Sequence, residues 1–173
     1  MGYEIAEQLN WEVPDVIFYP TGGGTGLIGI WKAFNEMAAL GWVSDKRPRM
    51  VAVQSESCDG IVNAFKNGNT SAAFTDGGFT IANGLRVPKS YADREILQVL
   101  KDSGGIALTI SDTEMEAAVK ELARTQGILM APEGAALWQA YKKLKADSWI
   151  KPGETAVMVN TGSGYKYLEN IQY

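Results

Sequence analysis

The sequence contains no histidine. That absence removes the commonest general base, the Ser-His-Asp triad and the usual zinc ligand set together. No metal site is expected, and catalysis would have to rest on lysine, carboxylate or a bound cofactor. Cysteine is nearly absent too: Cys58 is the only one and cannot form an internal disulfide, a usage that suits a reducing compartment. Positive charge is not in excess. With a net charge of −4 and scattered lysines and arginines, there is no basic field to hold nucleic acid. No apolar run approaches the ~20 residues that span a bilayer, and Met1-Gly2-Tyr3-Glu4-Ile5-Ala6-Glu7 lacks the charged-then-apolar pattern of a secretory signal. These absences predict a soluble, cytoplasmic chain with neither a membrane nor a nucleic-acid partner.

What is present is a strand and helix alternation. At 173 residues and 46% hydrophobic, the chain is sized for one domain with a sizeable core. Val16-Ile17-Phe18-Tyr19 reads as a strand buried on both faces, Met50-Val51-Ala52-Val53-Gln54 as the next strand, Gly105 to Ile110 as an apolar strand and Thr155 to Asn160 as a last buried one. Helical spacing runs over Tyr3 to Leu9, over Leu27 to Leu40 with Gly41 as its stop, from Gly60 to Lys66, from Asp93 to Lys101 and from Glu133 to Lys145. Ser111-Asp112-Thr113-Glu114 is a capping box that opens a further helix through Arg124. Asn67 to Gly84 is rich in Gly, Asn, Thr and Ser and reads as an irregular surface segment held at Thr80-Ile81-Ala82. The alternation predicts a single α/β domain over residues 1–173, three layers deep, with a mainly parallel sheet between helices.

The segment Pro20-Thr21-Gly22-Gly23-Gly24-Thr25-Gly26-Leu27-Ile28-Gly29 lies between a strand and a helix. Glycines remove the side chains that would hold an anion off, and the following helix presents unpaired N–H groups and its positive end, so the segment reads as a phosphate cradle. Gly24-Thr25-Gly26-Leu27-Ile28-Gly29 also matches G-x-G-x-x-G, with Glu56 past the second strand as the ribose acid of a dinucleotide site. Glu56 lies further on than the roughly 20 residues such a site uses. A triphosphate P-loop is excluded because no Gly-Lys-Ser/Thr follows.

The glycine segment, with Trp31-Lys32-Ala33-Phe34 after it, closely resembles the phosphate loop of threonine synthases, in the fold type II, tryptophan-synthase-β-like group of pyridoxal-phosphate enzymes. The resemblance continues through Val53-Gln54-Ser55-Glu56, Pro132-Glu133-Gly134-Ala135-Ala136 and Asn160-Thr161-Gly162-Ser163-Gly164. It implies that the amides of Gly22, Gly23, Gly24, Thr25 and Gly26 hold the phosphate of pyridoxal 5′-phosphate, with the Thr25 hydroxyl as a further donor. It implies that the Thr161 hydroxyl contacts the ring nitrogen, where spacing alone would allow a strand-end turn residue. The activity implied is a lyase reaction, conversion of O-phosphohomoserine and water to threonine and phosphate, with phosphate leaving from Cγ and water adding at Cβ.

The family's Schiff-base lysine stands in a Ser-Phe-Lys-Asp-like motif well before the glycine loop, whereas here only a short helix and turn precede the first strand. The resemblance therefore implies the C-terminal half of a fold type II large domain, incomplete at its N-terminus. The lysine, the small domain and a sheet strand would lie outside it, so the chain alone would be inactive. An exposed sheet edge, a homodimer or pairing with a lysine-bearing chain are its corollaries. Other readings stay open: a threonine dehydratase-like lyase, a non-catalytic or split-chain cofactor module, and a dinucleotide-binding oxidoreductase domain. Glu133 reads most simply as a first-turn acid favoured by the helix dipole, Ser55 and Glu56 as solvated loop residues, and Lys66 as a solvated helix-end lysine. Cys58 has no basic neighbour in sequence to make it a nucleophile.

Overall fold

The computed structural model describes residues 1–169. Strands β1 (Val16–Pro20), β2 (Arg49–Ser55), β3 (Ile106–Ile110) and β4 (Ala156–Met158) form one sheet in the order β3-β2-β1-β4. Every pairing is parallel, with Val16 opposite Arg49 and Ala156, and Val51 opposite Ile106. The helices are α1 (Gly2–Gln8), α2 (Thr25–Ala39), α3 (Gly60–Lys66), α4 (Asp93–Asp102), α5 (Asp112–Gln126) and α6 (Pro132–Ala146).

Strand residues alternate between two helical layers, as a period of two requires. Ile17, Met50 and Ala52 face Leu27, Ile30 and Phe34 of α2, Ile61 and Val62 of α3, and Ile96 and Leu100 of α4. Their neighbours Val16, Phe18, Val51 and Val53 face Met115 of α5 and Ala136, Leu137, Ala140 and Leu144 of α6. Both faces are thus covered, which is why these strands read as continuous apolar runs. Each fully buried large side chain, such as Phe18, Phe34 or Ile30, contributes about 1.5–3 kcal/mol relative to exposure.

The last strand departs from expectation. It is three residues long and each is only half-buried, because β4 sits at the sheet edge and pairs on one side only, with β1. Residues 67–92 contain no regular element besides a single 3-10 turn at Asn83–Leu85. They are fastened where the sequence suggested and also at Ala72, whose N–H donates to Asp93 Oδ2 at 2.7 Å, and at Thr75, whose hydroxyl donates to the Pro88 carbonyl at 3.0 Å. Thr80 and Ala82 are fully buried, the Thr80 hydroxyl donates to Asp112 Oδ1 at 2.6 Å, and the Ile81 N–H donates to Oδ2 at 3.1 Å. Among the described residues no helix is long and apolar enough to cross a membrane, and no cluster of His, Cys, Asp and Glu is arranged to hold a metal ion.

Candidate functional site

The sheet changes direction at β1. The crossover through α2 leads to β2 on one side, while β4 lies on the other. In open parallel sheets the crevice outside the strand carboxyl ends at such a reversal is where ligands bind. The segments leaving β1 and β4 meet there across a cleft of about 340 Å³. All six residues singled out in the sequence, Gly22, Gly23, Gly24, Thr25, Gly26 and Thr161, line this one cleft, although Thr161 is far from the others in the chain.

The loop is anchored before it opens. Thr21 is fully buried, its N–H donates to the Val53 carbonyl at 2.8 Å and its hydroxyl to the Tyr19 carbonyl at 2.9 Å. Gly24 is the N-cap of α2 and has φ +95°, a left-handed conformation costly for any residue with a Cβ. A Cβ there would also overlap the Ile96 side chain. At Gly22 a Cβ would lie 2.6 Å from the Gly84 carbonyl oxygen, so the 83–85 turn packs backbone to backbone against the loop. The Ser90 hydroxyl donates to the Gly22 carbonyl and fastens the loop's outer strand of chain.

Among the described residues, the amides of Gly22, Gly23, Gly24, Thr25 and Gly26 donate no hydrogen bond. No side chain caps α2 either. Five adjacent open donors at the positive end of a 15-residue helix suit a phosphate group. The Thr25 hydroxyl lies 3.2 Å from the Tyr91 hydroxyl at the mouth.

The opposite wall is built by an antiparallel pairing of 129–131 with 162–164. The Ala131 N–H donates to the Gly162 carbonyl at 3.1 Å, the Gly164 N–H to the Leu129 carbonyl at 2.8 Å, and Met130 bridges Ser163. Glu133, in the first turn of α6, completes it. It is only 6% exposed, and its Oε1 accepts both the Gly84 N–H at 2.7 Å and the Tyr167 hydroxyl at 2.6 Å. Burial first, and the Glu133 carboxylate second, push the Tyr167 hydroxyl far above its ordinary value, so it remains a proton donor to Glu133. The first-turn reading of Glu133 was correct as to position but missed these contacts. Proline at the first helical position was the available signal for the helix start; nothing in the sequence pointed to a partner as remote as Gly84.

Other expectations separate. Glu56 is exposed, as expected, and does not line the cleft. Ser55 is 1% exposed rather than solvated, because β2 runs on to it and it pairs with Ile110. Lys66 is exposed at the end of α3, and Cys58 is buried. Gln54 is a structural residue the sequence did not reveal. Its Oε1 accepts the N–H groups of Ile61 and Val62, which open α3, and its Nε2 donates to the Thr21 carbonyl.

Comparison with known proteins adds family and fold. The family described as pyridoxal-phosphate dependent enzyme matches residues 1–162. A threonine synthase of Methanosarcina acetivorans is 35% identical over 162 residues, which make up 94% of this chain and 40% of that protein. A threonine synthase of Methanocaldococcus jannaschii is 33% identical over 166 residues, 96% of this chain and 41% of that protein. The chain therefore spans about 40% of the length of these relatives. Among solved structures, a fungal L-serine ammonia-lyase from Rhizomucor miehei superposes with TM-score 0.75 at 22% identity, covering 99% of this chain and 54% of that one. The processed form of threonine deaminase isoform 2 from Solanum lycopersicum does so with TM-score 0.74 at 18% identity, covering 94% and 41%. These two likenesses establish the fold.

Proposed function

The chain belongs to the pyridoxal-phosphate dependent enzyme family, and on that premise we propose that residues 1–173 are a single, partial α/β domain: the C-terminal portion of a threonine synthase. When complete, that enzyme would convert O-phosphohomoserine and water to threonine and phosphate. The observation that carries the proposal is the run of five open amides from Gly22 to Gly26 facing Thr161 across one cleft. The two threonine synthases at 35% and 33% identity support the choice of reaction over that of the deaminase, which shares the fold at 18% identity.

In this reading the amides of Gly22, Gly23, Gly24, Thr25 and Gly26 bind the cofactor phosphate, and the Thr25 hydroxyl adds a donor at the mouth. Thr161, on the opposite side of the cleft, would offer the ring nitrogen a neutral hydroxyl, which would leave that nitrogen largely unprotonated. Gly84 and Leu85 wall the cleft beside the loop. When bound, pyridoxal phosphate supplies the electron sink that stabilises a substrate carbanion. The lysine that would join the cofactor covalently is assigned to a separate stretch of chain, and the half-buried edge at β4 is the place for a further strand to pair. A single buried thiol accords with a cytoplasmic setting. The dinucleotide alternative loses its ribose acid, since Glu56 is exposed outside the cleft.

Two measurements test the proposal. The 173-residue chain should bind pyridoxal phosphate and not NADH, read by visible absorbance and by fluorescence. Supplied with O-phosphohomoserine and pyridoxal phosphate, the chain alone should form no threonine, and adding a lysine-bearing N-terminal chain should restore turnover. Tight NADH binding, or threonine formed by the chain alone at a rate near that of full-length enzymes, would overturn it.

A further inference from the structure

Among the described residues lining the cleft, Lys166 is the single cation and Glu133 the single anion. The two belong to one mechanical unit. Lys166 sits in the 3-10 turn Gly164–Tyr167, whose next residue, Tyr167, donates its hydroxyl to Glu133 Oε1. The same oxygen accepts the N–H of Gly84, and the Gly84 carbonyl abuts Gly22 of the loop. The Glu133 carboxylate thus stands in the wall of the same cleft as the open loop amides, with two neutral donors on one oxygen. Left alone, a carboxylate repels a phosphate. Lys166, next to Tyr167 in the chain, is the cation of that lining, and the bond from Tyr167 to Glu133 ties its turn to the cleft wall.

We propose that Lys166 recognises a phosphate monoester or other anionic group of the ligand in this cleft, and that Glu133, through Tyr167, is its positioning residue. The inference rests on the pyridoxal-phosphate reading and adds to it the side-chain charge that the amide cradle lacks. Ammonium and phosphate attract each other by a charge-assisted hydrogen bond, and that attraction is weakened by salt. The anionic group has two sources, the cofactor and the substrate, and the test separates them.

The probe is pyridoxine 5′-phosphate, whose alcohol cannot condense with surface lysines, titrated into the 173-residue chain and followed by fluorescence, with phosphate-free pyridoxine as control. Lys166→Met should weaken pyridoxine phosphate about tenfold, flatten its salt dependence and leave pyridoxine unchanged if the cofactor is the source. If the substrate is the source, Lys166→Met should leave pyridoxine phosphate unchanged and weaken inorganic phosphate binding to the loaded chain about tenfold. Lys166→Arg should restore most of either loss. Tyr167→Phe, which keeps the lysine but frees its turn, should lose roughly two- to threefold and shift the salt dependence in the same direction. Wild-type affinities for both probes in Lys166→Met would overturn the inference alone. A wild-type chain that binds neither probe would overturn the pyridoxal-phosphate reading and the inference with it.

Discussion

Helices α2 and α5 are both 15 residues long and each follows a parallel strand, yet their N-termini are finished in opposite ways. At α5, Ser111 Oγ accepts the Glu114 N–H at 3.3 Å and Glu114 Oε2 accepts the Ser111 N–H at 3.1 Å, so side chains at the helix start take up two of its donors. At α2 the cap is a left-handed glycine with no side chain to offer, and the loop amides before it are open as well. A closed N-terminus serves stability and an open one is available to a ligand. Helices α1, α3, α4 and α6 also lack a side-chain cap, so the mark of the candidate site is the run of open loop amides leading into α2, where a packing turn would have been free to close itself with Ser or Asp.

The largest effect should come from breaking the open end. Gly24→Ala places a Cβ in a left-handed conformation and into Ile96, at a cost of about 2–5 kcal/mol. Chemical denaturation should show a large fall in the midpoint, and pyridoxine phosphate binding should be lost with it. Breaking the closed end is milder. Ser111→Ala should cost about 1 kcal/mol of stability and leave ligand affinity untouched; a loss of affinity there would dissolve the distinction between the two termini.

The smallest effect is one of pH. Burial alone would raise the Glu114 carboxyl, but the Lys143 ammonium and the bonds with Ser111 outweigh it and hold the group below its ordinary value. A carboxyl depressed in the folded state contributes stability above its unfolded value and loses it as pH falls through the folded one. The start of α5 should therefore loosen as pH drops below the ordinary carboxylate range. Hydrogen exchange of the α5 amides should record that loosening, and Glu114→Gln should remove that part of the acid dependence.

The capping box was legible in the sequence because all its parts lie within four consecutive residues. Strands β1 to β3 and the helices were legible for the same reason, since burial on both faces, or on one helical stripe, leaves a local period. The glycine loop was legible because glycine has no substitute where backbone must meet backbone. Ser55 was misread because strand extension depends on a partner: β3 pairs with it, and nothing in Gln54-Ser55-Glu56 announces that. Glu133 was read only in part, since its partners Gly84 and Tyr167 come from two other segments.

By itself the sequence determined the element types, the parallel α/β class, the glycine-rich strand-to-helix loop at residues 22–26 and the chemistry that a chain without histidine leaves open. Each of those follows from composition, or from propensity and period over a few neighbouring residues. Tertiary structure alone decided that β4 is an edge, that Thr161 closes the same cleft as the glycine loop, and that Gly84 and Tyr167 share one oxygen of Glu133. Those facts depend on strand order and on long-range packing, which bring distant segments within hydrogen-bonding distance and leave no mark in local sequence.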